Sequence, residues 1–454
     1  MVSELITKQQ AYFHEGHTKS LSFRMGQLQK LRDGIKKYES EIMDALYRDL
    51  RKPGFEAYTS EIGFILESIS YTLKHMKQWM KPKKRQMPLH QIGSKGMLTY
   101  EPYGTVLIIG PFNYPFQLLI EPMIGAIASG NTVILKPSSD TSHTESITVK
   151  LIKEVFDNRY IDIVTGGREI TSELIHSDFD YIFFTGSVAV GKIVMAAAAE
   201  HLTPVTLELG GKSPTIVDEK AHVDLAAKRV AWGKFLNAGQ TCIAPDYVYV
   251  HEKIADQFKL ALKKHIEAFY GNTVIDSPDY GRIVSKKHFD RLKILLDENK
   301  IFSGGQTDDE SLFIEPTILE HVTWDDKVMA DEIFGPILPI MTYNDLDLVI
   351  DEINSRAKPL ALYLFTQNKK VERDVLRRTS SGGVAVNDTI THIISPHLPF
   401  GGVGHSGMGA YHGKYSFYTF SHQKSVVKKT NAFDLKLVYP PYKNKLKFVK
   451  KIMK

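Results

Sequence analysis

Three short stretches hold side chains whose types suit a nucleophile, a polar donor and a general base. NAGQTCIAP (237–245) contains Cys242, the single cysteine in 454 residues. A thiolate is a strong nucleophile once a cation or backbone dipole lowers its pKa. PFNYP (111–115) sets Asn113 between two prolines that restrict the backbone, so its amide is held at the C-terminal end of a strand, where open α/β sheets bind ligands. LELGGKSP (207–214) places Glu208 among apolar residues, where a carboxylate has a raised pKa and can act as a general base near neutral pH. Taken singly, each stretch also has a plainer reading. A lone cysteine packs as a small apolar residue, an asparagine satisfies a turn, and a buried glutamate pairs with a cation. Gly239 and the small residues before Cys242 are expected to leave room for a substrate beside the sulfur.

These residues need rigid elements to hold them. GTVLIIG (104–110), NTVILKP (131–137), YIDIVTG (160–166) and YIFFTGS (181–187) are short, β-branched and apolar, with turn residues at their ends. Helix-compatible segments lie between them, which predicts a parallel sheet covered on both faces. A second α/β series starts at VTLELGG (205–211) and continues through SPTIVD and DYVYVHE. Residues 1 to about 80 carry apolar positions at helical spacing, as in Met25, Leu28, Leu31 and Ile35. Beyond about residue 390 the richness in Gly, His and aromatics suits loops and edge strands. FFTGSVAVGKIVMAAAAE ends a strand at Gly186 and opens an Ala-rich helix near Gly191. The free N–H groups of such a helix end suit a diphosphate, although the spacing is not G-x-G-x-x-G and the same joint is common in α/β proteins.

Composition narrows the classes. With 43% hydrophobic and 24% charged residues, the chain reads as an ordinary globular protein. The net charge of +5 is small, and no basic stripe interleaved with aromatics suggests nucleic acid. One cysteine excludes an intramolecular disulfide and a cysteine-cluster metal site, so no metal centre and a reducing compartment are expected. The N-terminus, MVSELITKQQAYFHEG, has no apolar core or cleavage site of a secretory leader. The most apolar tract, Val106 to Leu135, is interrupted by Pro111, Asn113, Pro115, Glu121, Pro122 and Asn131. It therefore cannot offer the ~20 apolar residues of a bilayer span, and a cytoplasmic location is expected.

Six motifs occur in a fixed order: PFNYP, FTGSVAVGK, LELGGKSP, GQTCIAP, EIFGP (332–336) and PFGGVGHSGMG (399–409). In that order they resemble the aldehyde dehydrogenase superfamily, over residues 20 to about 425. The short N-terminus, TPVTLELGGKSP and SGMGAYHGKYSFYTFSHQKS look most like class 3 aldehyde dehydrogenases, which include fatty- and benzaldehyde-type enzymes. The resemblance implies an α/β aldehyde dehydrogenase fold. A Rossmann-like NAD(P)-binding domain would occupy residues 1–80 and 103–207, and an α/β catalytic domain residues 208–389. A small β bridging element would comprise 81–102 and 390–430, leaving 431–454 as a basic tail. It also implies a homodimer with an edge strand near the C-terminus crossing to the partner.

The same resemblance assigns roles. Cys242 would attack an aldehyde to give a thiohemiacetal, its oxyanion held by the Asn113 amide and the Cys242 backbone N–H. Glu208 would activate water to hydrolyse the thioester left by hydride transfer. Glu332 would hold the nicotinamide ribose with Phe334 near the ring, and Lys136 would reach the adenosine ribose. Gly186, Ser187 and Gly191 would surround the diphosphate, with Thr185, Leu209 and Gly210 beside the cofactor. Tyr114, Phe400 and His412 are expected around the substrate pocket. Where NAD-preferring relatives run K-x-x-E, this chain has Lys136-Pro137-Ser138-Ser139. A glutamate there would repel a 2′-phosphate and serine would not, so NADP is expected to serve about as well as NAD.

Two further features stand apart. KNKLKFVKKIMK closes the chain with six lysines, and Leu446, Val449, Ile452 and Met453 fall on one helical face. Such a tail is either a frayed solvated end or a weak attachment to anionic lipid. Two competing functions also fit the fold. A CoA-acylating dehydrogenase would pass the thioester to a thiol, but those enzymes usually lack the general-base glutamate found at Glu208. A non-catalytic binding protein would have no need to keep Asn113, Glu208 and Cys242 together.

Overall fold

The computed structural model describes residues 2–453. The helical spacing of the first 80 residues becomes helices Val2–His14, Leu21–Lys37, Glu39–Leu50 and Gly63–Trp79. Ser20 starts the second of these by accepting a hydrogen bond from the Phe23 N–H at 3.2 Å. Leu28, Leu31 and Ile35 on its inner face are fully buried.

The apolar runs form the strands that their composition predicts. Thr105–Ile109, Thr132–Lys136, Ile161–Ile163, Tyr181–Gly186 and Val205–Leu209 are parallel neighbours in one sheet. Thr105–Ile109 and Thr132–Lys136 are buried along their whole length, because helices cover both faces. From Thr105–Ile109 the chain builds outward through two strands, then returns to add Tyr181–Gly186 on the other side. The crevice at the carboxyl ends lies at this reversal, where open α/β sheets bind ligands. Register aligns Ile109 with Lys136 and with Phe184, and Thr185 with Glu208, along that edge. The sheet is not wholly parallel as the runs alone suggest. Gly407–Met408 joins antiparallel beside Glu208 and Leu207, since the late Gly-rich loop folds back onto the last strand.

A seven-stranded sheet follows the order 301–303, 317–319, 337–343, 247–251, 214–217, 361–365 and 383–386. A third, antiparallel sheet joins Lys83–Arg85 and Ser94–Pro102 to Ser421–Lys429, which pairs along its full length from Ser421 opposite Pro102 to Lys429 opposite Ser94.

Helix Gln117–Ser129 is buried on every side, which explains why its sequence is apolar all round despite Pro122. Its first N–H groups, of Phe116 and Gln117, donate to Glu61 Oε2 at 3.0 and 3.2 Å. Glu61 in turn pairs with Lys52, and neither side chain reaches solvent. No helix among the described residues is long and apolar enough to cross a membrane.

Candidate active site

The loop before Cys242 is built under strain. Asn237 and Ala238 both take left-handed backbone angles, with φ of 52° and 51°, which side-chain-bearing residues rarely adopt. Hydrogen bonds hold them there. The Asn237 N–H donates to Glu56 Oε2 at 3.0 Å, and its amide donates to the Asn113 carbonyl at 2.8 Å. Gln240 donates to the Arg282 carbonyl at 2.9 Å and accepts the Val284 N–H at 3.0 Å. Gly239, expected to clear space for a substrate, instead meets another backbone: an added Cβ would lie 2.3 Å from the Gly335 carbonyl oxygen. The small residue there lets the 335–336 turn pack against the cysteine loop.

Asn113 reaches the same place from the first sheet. Its side chain is 2% exposed, and Nδ2 donates to the Gln240 carbonyl at 3.0 Å. A primary amide carries two donor hydrogens, so one stays free for a ligand. The Asn113 carbonyl also accepts Lys52 Nζ at 3.1 Å, which ties this turn to the buried Lys52–Glu61 pair. Tyr114 Oη meets Thr241 Oγ1 at 2.8 Å, next to the cysteine. Three distant segments therefore fix the backbone on which Cys242 sits.

Cys242 is partly exposed and unpaired. Burial pushes its thiol well up, and the carboxylates of Glu332 and Glu208 push it further. The backbone N–H groups of Cys242 and Ile243 act the other way, so donors already point at the sulfur. Glu208 is 3% exposed and neither carboxylate oxygen has a hydrogen-bond partner. Desolvation alone raises its pKa well above the carboxylate range. The cation-paired alternative for this residue does not match its surroundings.

Glu332 approaches from the second sheet. It accepts the Gly211 N–H, and burial together with Asp246 pushes its pKa up to about 8. An added Cβ on Gly210 would fall 2.0 Å from Glu332 Oε2, so glycine is required for the carboxylate to lie here. Phe334 follows with φ of 50°, its ring edge-on to Phe112 at 5.7 Å. Lys212 and Asp246 pin this segment. Lys212 Nζ donates to Asp246 Oδ2 at 2.7 Å and to the Asp331 carbonyl at 2.9 Å, and Asp246 Oδ1 accepts the Ile333 N–H at 3.0 Å.

Lys136, Ser139, Thr185, Gly186 and Ser187 lie at the carboxyl ends of the first sheet's strands. Thr185 Oγ1 is buried without a partner. Ser187 caps helix Val188–Glu200, and Gly191 lets that helix lie against Leu209, since an added Cβ would be 2.6 Å from the leucine side chain. Lys136 ends its strand almost buried, with Nζ donating only to the Pro137 carbonyl at 2.6 Å. Ser139 is exposed just beyond. An orphaned hydroxyl, a lysine without an acidic hydrogen-bond partner and a capped helix end fit a dinucleotide along this edge. Phe400 stacks on His412 with centroids 5.5 Å apart. His412 faces a cavity beside helix Gln117–Ser129, and no hydrogen bond links it to the cysteine loop.

Four residues were missed in the sequence: Lys52, Glu61, Asp246 and Lys234. Lys234 is fully buried without a hydrogen-bond partner, and burial lowers its pKa to about 8 while Asp246 and Glu332 oppose that shift. A lysine inside the apolar-spaced helix Val223–Phe235 was the available signal.

The family model described as "Aldehyde dehydrogenase family" matches residues 1–426. A 4,4'-diaponeurosporen-aldehyde dehydrogenase of Staphylococcus aureus (strain NCTC 8325 / PS 47) is 53% identical over 98% of this chain and 97% of the relative. A dimeric NADP-preferring aldehyde dehydrogenase of Rattus norvegicus is 47% identical over 97% of this chain and 98% of its own. Among solved structures, a substrate-bound Staphylococcus aureus AldH superposes with a TM-score of 0.99 at 52% identity and full coverage of both chains. An NAD+ complex of a Bacillus cereus aldehyde dehydrogenase gives 0.85 at 28%, covering 94% of this chain and 88% of that one. Likeness holds over nearly the full length, in sequence and in backbone: the chain belongs to the aldehyde dehydrogenase family and oxidises aldehydes with NAD or NADP.

Proposed function

We propose that Cys242 is the nucleophile, Asn113 and the Cys242 N–H the oxyanion donors, and Glu208 the base of this oxidation. The Cys242 sulfur adds to the aldehyde carbon, and the carbonyl oxygen, now an anion, takes up the free Asn113 N–H and the cysteine N–H. When bound, an oxidised nicotinamide would supply the hydride acceptor. Loss of hydride leaves an acyl thioester on Cys242. Glu208 then takes a proton from water as its oxygen attacks the thioester, the C–S bond breaks to release the carboxylic acid, and Glu208 returns the proton to the departing Cys242 thiolate. The unpaired, desolvated carboxyl of Glu208 is the observation that carries this reading. A carboxylate free of partners is available to hold a water, whereas an ion-paired one is already committed.

Lys136 and Ser139 would face the adenosine ribose, and Glu332 with Phe334 the nicotinamide side. Gly186, Ser187 and Gly191 would surround the diphosphate, with Thr185, Leu209 and Gly210 beside the cofactor and Tyr114, Phe400 and His412 around the aldehyde. Both sheets would thus contribute to both tasks, with Asn113 and Glu208 coming from the first sheet and Cys242 and Glu332 from segments beside the second. Serine at 139 leaves room for a 2′-phosphate, in keeping with a relative named as NADP-preferring. Intact mass of Cys242 peptides, trapped by acid during turnover of benzaldehyde, tests the assignment. An acyl adduct on Cys242 is expected, and an adduct elsewhere, or none, would overturn it.

The reading extends to assembly. A homodimer is favoured by the nine-residue strand Ser421–Lys429 at a sheet edge, by the exposed Val190 and Ile193 on helix Val188–Glu200, and by the rat relative named dimeric. Sedimentation velocity reads the mass directly, and a monomer at micromolar concentration rules the dimer out. The tail forms helix Leu446–Ile452, with Leu446, Phe448, Ile452 and Met453 exposed among lysines, which suits weak contact with anionic lipid. Equal sedimentation with anionic vesicles by the full chain and a form ending at Tyr442 would remove that role.

A further inference from the structure

Glu56 lies in sequence between Lys52 and Glu61, and the oxidation chemistry leaves it unused. The helix that carries it is irregular: an α turn over Gly54–Ala57 passes into a π turn over Tyr58–Ile62. Such widened turns are frequent at functional sites. The two acids of this stretch hold two sides of the crevice. Glu61 accepts the Phe116 and Gln117 N–H groups just after Asn113, whereas Glu56 Oε2 accepts the Asn237 N–H at 3.0 Å, in the turn that leads into Cys242.

That turn has an uncommon backbone. Asn237, Ala238 and Gly239 are successive residues in the left-handed region, with φ of 52°, 51° and 74°. Residues with a side chain visit that region singly and at a cost, and alanine has no side-chain hydrogen bond to offset it. Helix Val223–Phe235 offers an easier course. The Leu236 N–H still bonds the Trp232 carbonyl in the helical pattern. If the helix ran on, the Asn237 N–H would take the Gly233 carbonyl next. It turns to Glu56 instead, and an ionised carboxylate is a stronger acceptor than a peptide carbonyl. A continued helix would swing away the Asn237 amide, which donates to the Asn113 and Gln240 carbonyls at 2.8 and 3.2 Å. The same Gln240 carbonyl receives Asn113 Nδ2 at 3.0 Å. Hydrogen bonds and adjoining backbone thus connect Glu56 to the sulfur and to its oxyanion donor.

The Glu56 side chain is largely buried, and burial is the main cause that lifts its pKa to about 7. The Lys52 cation and the Asn237 N–H oppose that rise, and Asp279 adds to it. The phenols of Tyr114, Tyr270 and Tyr280 also lie within reach of its charge, and burial keeps them protonated. Glu56 therefore changes charge near neutrality against the cysteine loop.

We propose that Glu56 is a positioning residue for the reacting sulfur: its carboxylate holds residues 237–239 in the left-handed turn, and without that acceptor the turn relaxes and Cys242 leaves the line of attack. The inference rests on Cys242 being the nucleophile. The ionised form of Glu56 is the stronger acceptor, so the hold tightens as pH rises through about 7.

The test assays Glu56→Ala, Glu56→Gln and the double change Glu56→Ala with Ala238→Gly on benzaldehyde and NAD. Misplacing a reacting group by about 1 Å typically costs about 10²-fold in rate, so Glu56→Ala should lose about tenfold to a hundredfold in kcat with KM for NAD little changed. Glu56→Gln keeps an oxygen acceptor and recovers most of the rate. Glycine takes left-handed angles without strain, so Ala238→Gly restores part of what Glu56→Ala loses. The ratio of wild-type to Glu56→Gln kcat/KM cancels the titrations that both enzymes share, and it should rise from pH 6 to pH 8, around the Glu56 pKa of about 7. Wild-type rates in Glu56→Ala, a loss that neither Glu56→Gln nor Ala238→Gly recovers, or a ratio flat with pH overturns the proposal. If Glu56→Ala does not fold, the pH dependence of the Glu56→Gln ratio decides alone. An acyl adduct trapped on Cys242 in each variant keeps the nucleophile assignment whatever these rates show, so the two readings fail separately.

Discussion

Replacing Glu208 with Gln separates the two halves of the reaction and tests the environment read for this side chain. The change is nearly isosteric and removes the charge, while the site holds no partner that the amide would lose. In the proposed mechanism acyl formation needs Cys242 and the oxyanion donors but not Glu208, so the first hydride transfer should survive. Hydrolysis needs a base, and loss of a positioned general base typically costs about 10²–10⁴ in rate. Stopped-flow absorbance of the reduced nicotinamide should then show a burst close to one per active site followed by a slow steady state. A second consequence comes from burial. The Glu208 pKa lies above its unfolded value, so the native state binds the extra proton, and stability falls as pH rises from the ordinary carboxylate range toward the raised value. Glutamine carries no such dependence. Thermal denaturation should therefore favour Glu208→Gln increasingly as pH rises above the ordinary carboxylate range. Unchanged steady-state turnover would refute the base role. A stability difference that shrinks with rising pH would refute the desolvated, unpaired environment.

Other perturbations probe the supports. Lys52→Met strands Glu61 as a buried charge, so a loss of about 3–5 kcal/mol is expected in urea unfolding, and the double change with Glu61→Gln recovers part of it. Gly210→Ala sets a methyl against Glu332 Oε2, which should raise the KM for cofactor at least tenfold while iodoacetamide still labels Cys242. Ser139→Glu should lower kcat/KM for NADP at least tenfold and spare NAD, read from paired steady-state assays; equal losses for both would detach Ser139 from the 2′-phosphate. Asn113→Ala removes one oxyanion donor, and a fall of about 10²–10³ in kcat is expected in the same assay.

Much of the site was legible because its signals are local. Strand runs of β-branched residues, the turn prolines around Asn113 and the apolar flanks of Glu208 each act within a few residues, and the elements formed where those runs lie. The order of six motifs then tied the pieces to one chemistry. Gly239 shows where local reading stops. A glycine beside a nucleophile suggests clearance for substrate, but the space is filled by a turn about 95 residues later in the chain.

By itself the amino-acid sequence determined which residues could serve as nucleophile, donor and base, and which segments would be strand or helix. Propensity and periodicity are properties of neighbouring residues. The tertiary structure decided everything that depends on who stands beside whom. Lys52 finds Glu61 and the Asn113 carbonyl, Lys212 and Asp246 pin the Glu332 segment, and Glu121 meets His412 across a cavity assembled from distant parts of the chain. Burial sets these charges and leaves certain atoms unsatisfied, and burial is a property of the packed chain that no short stretch contains.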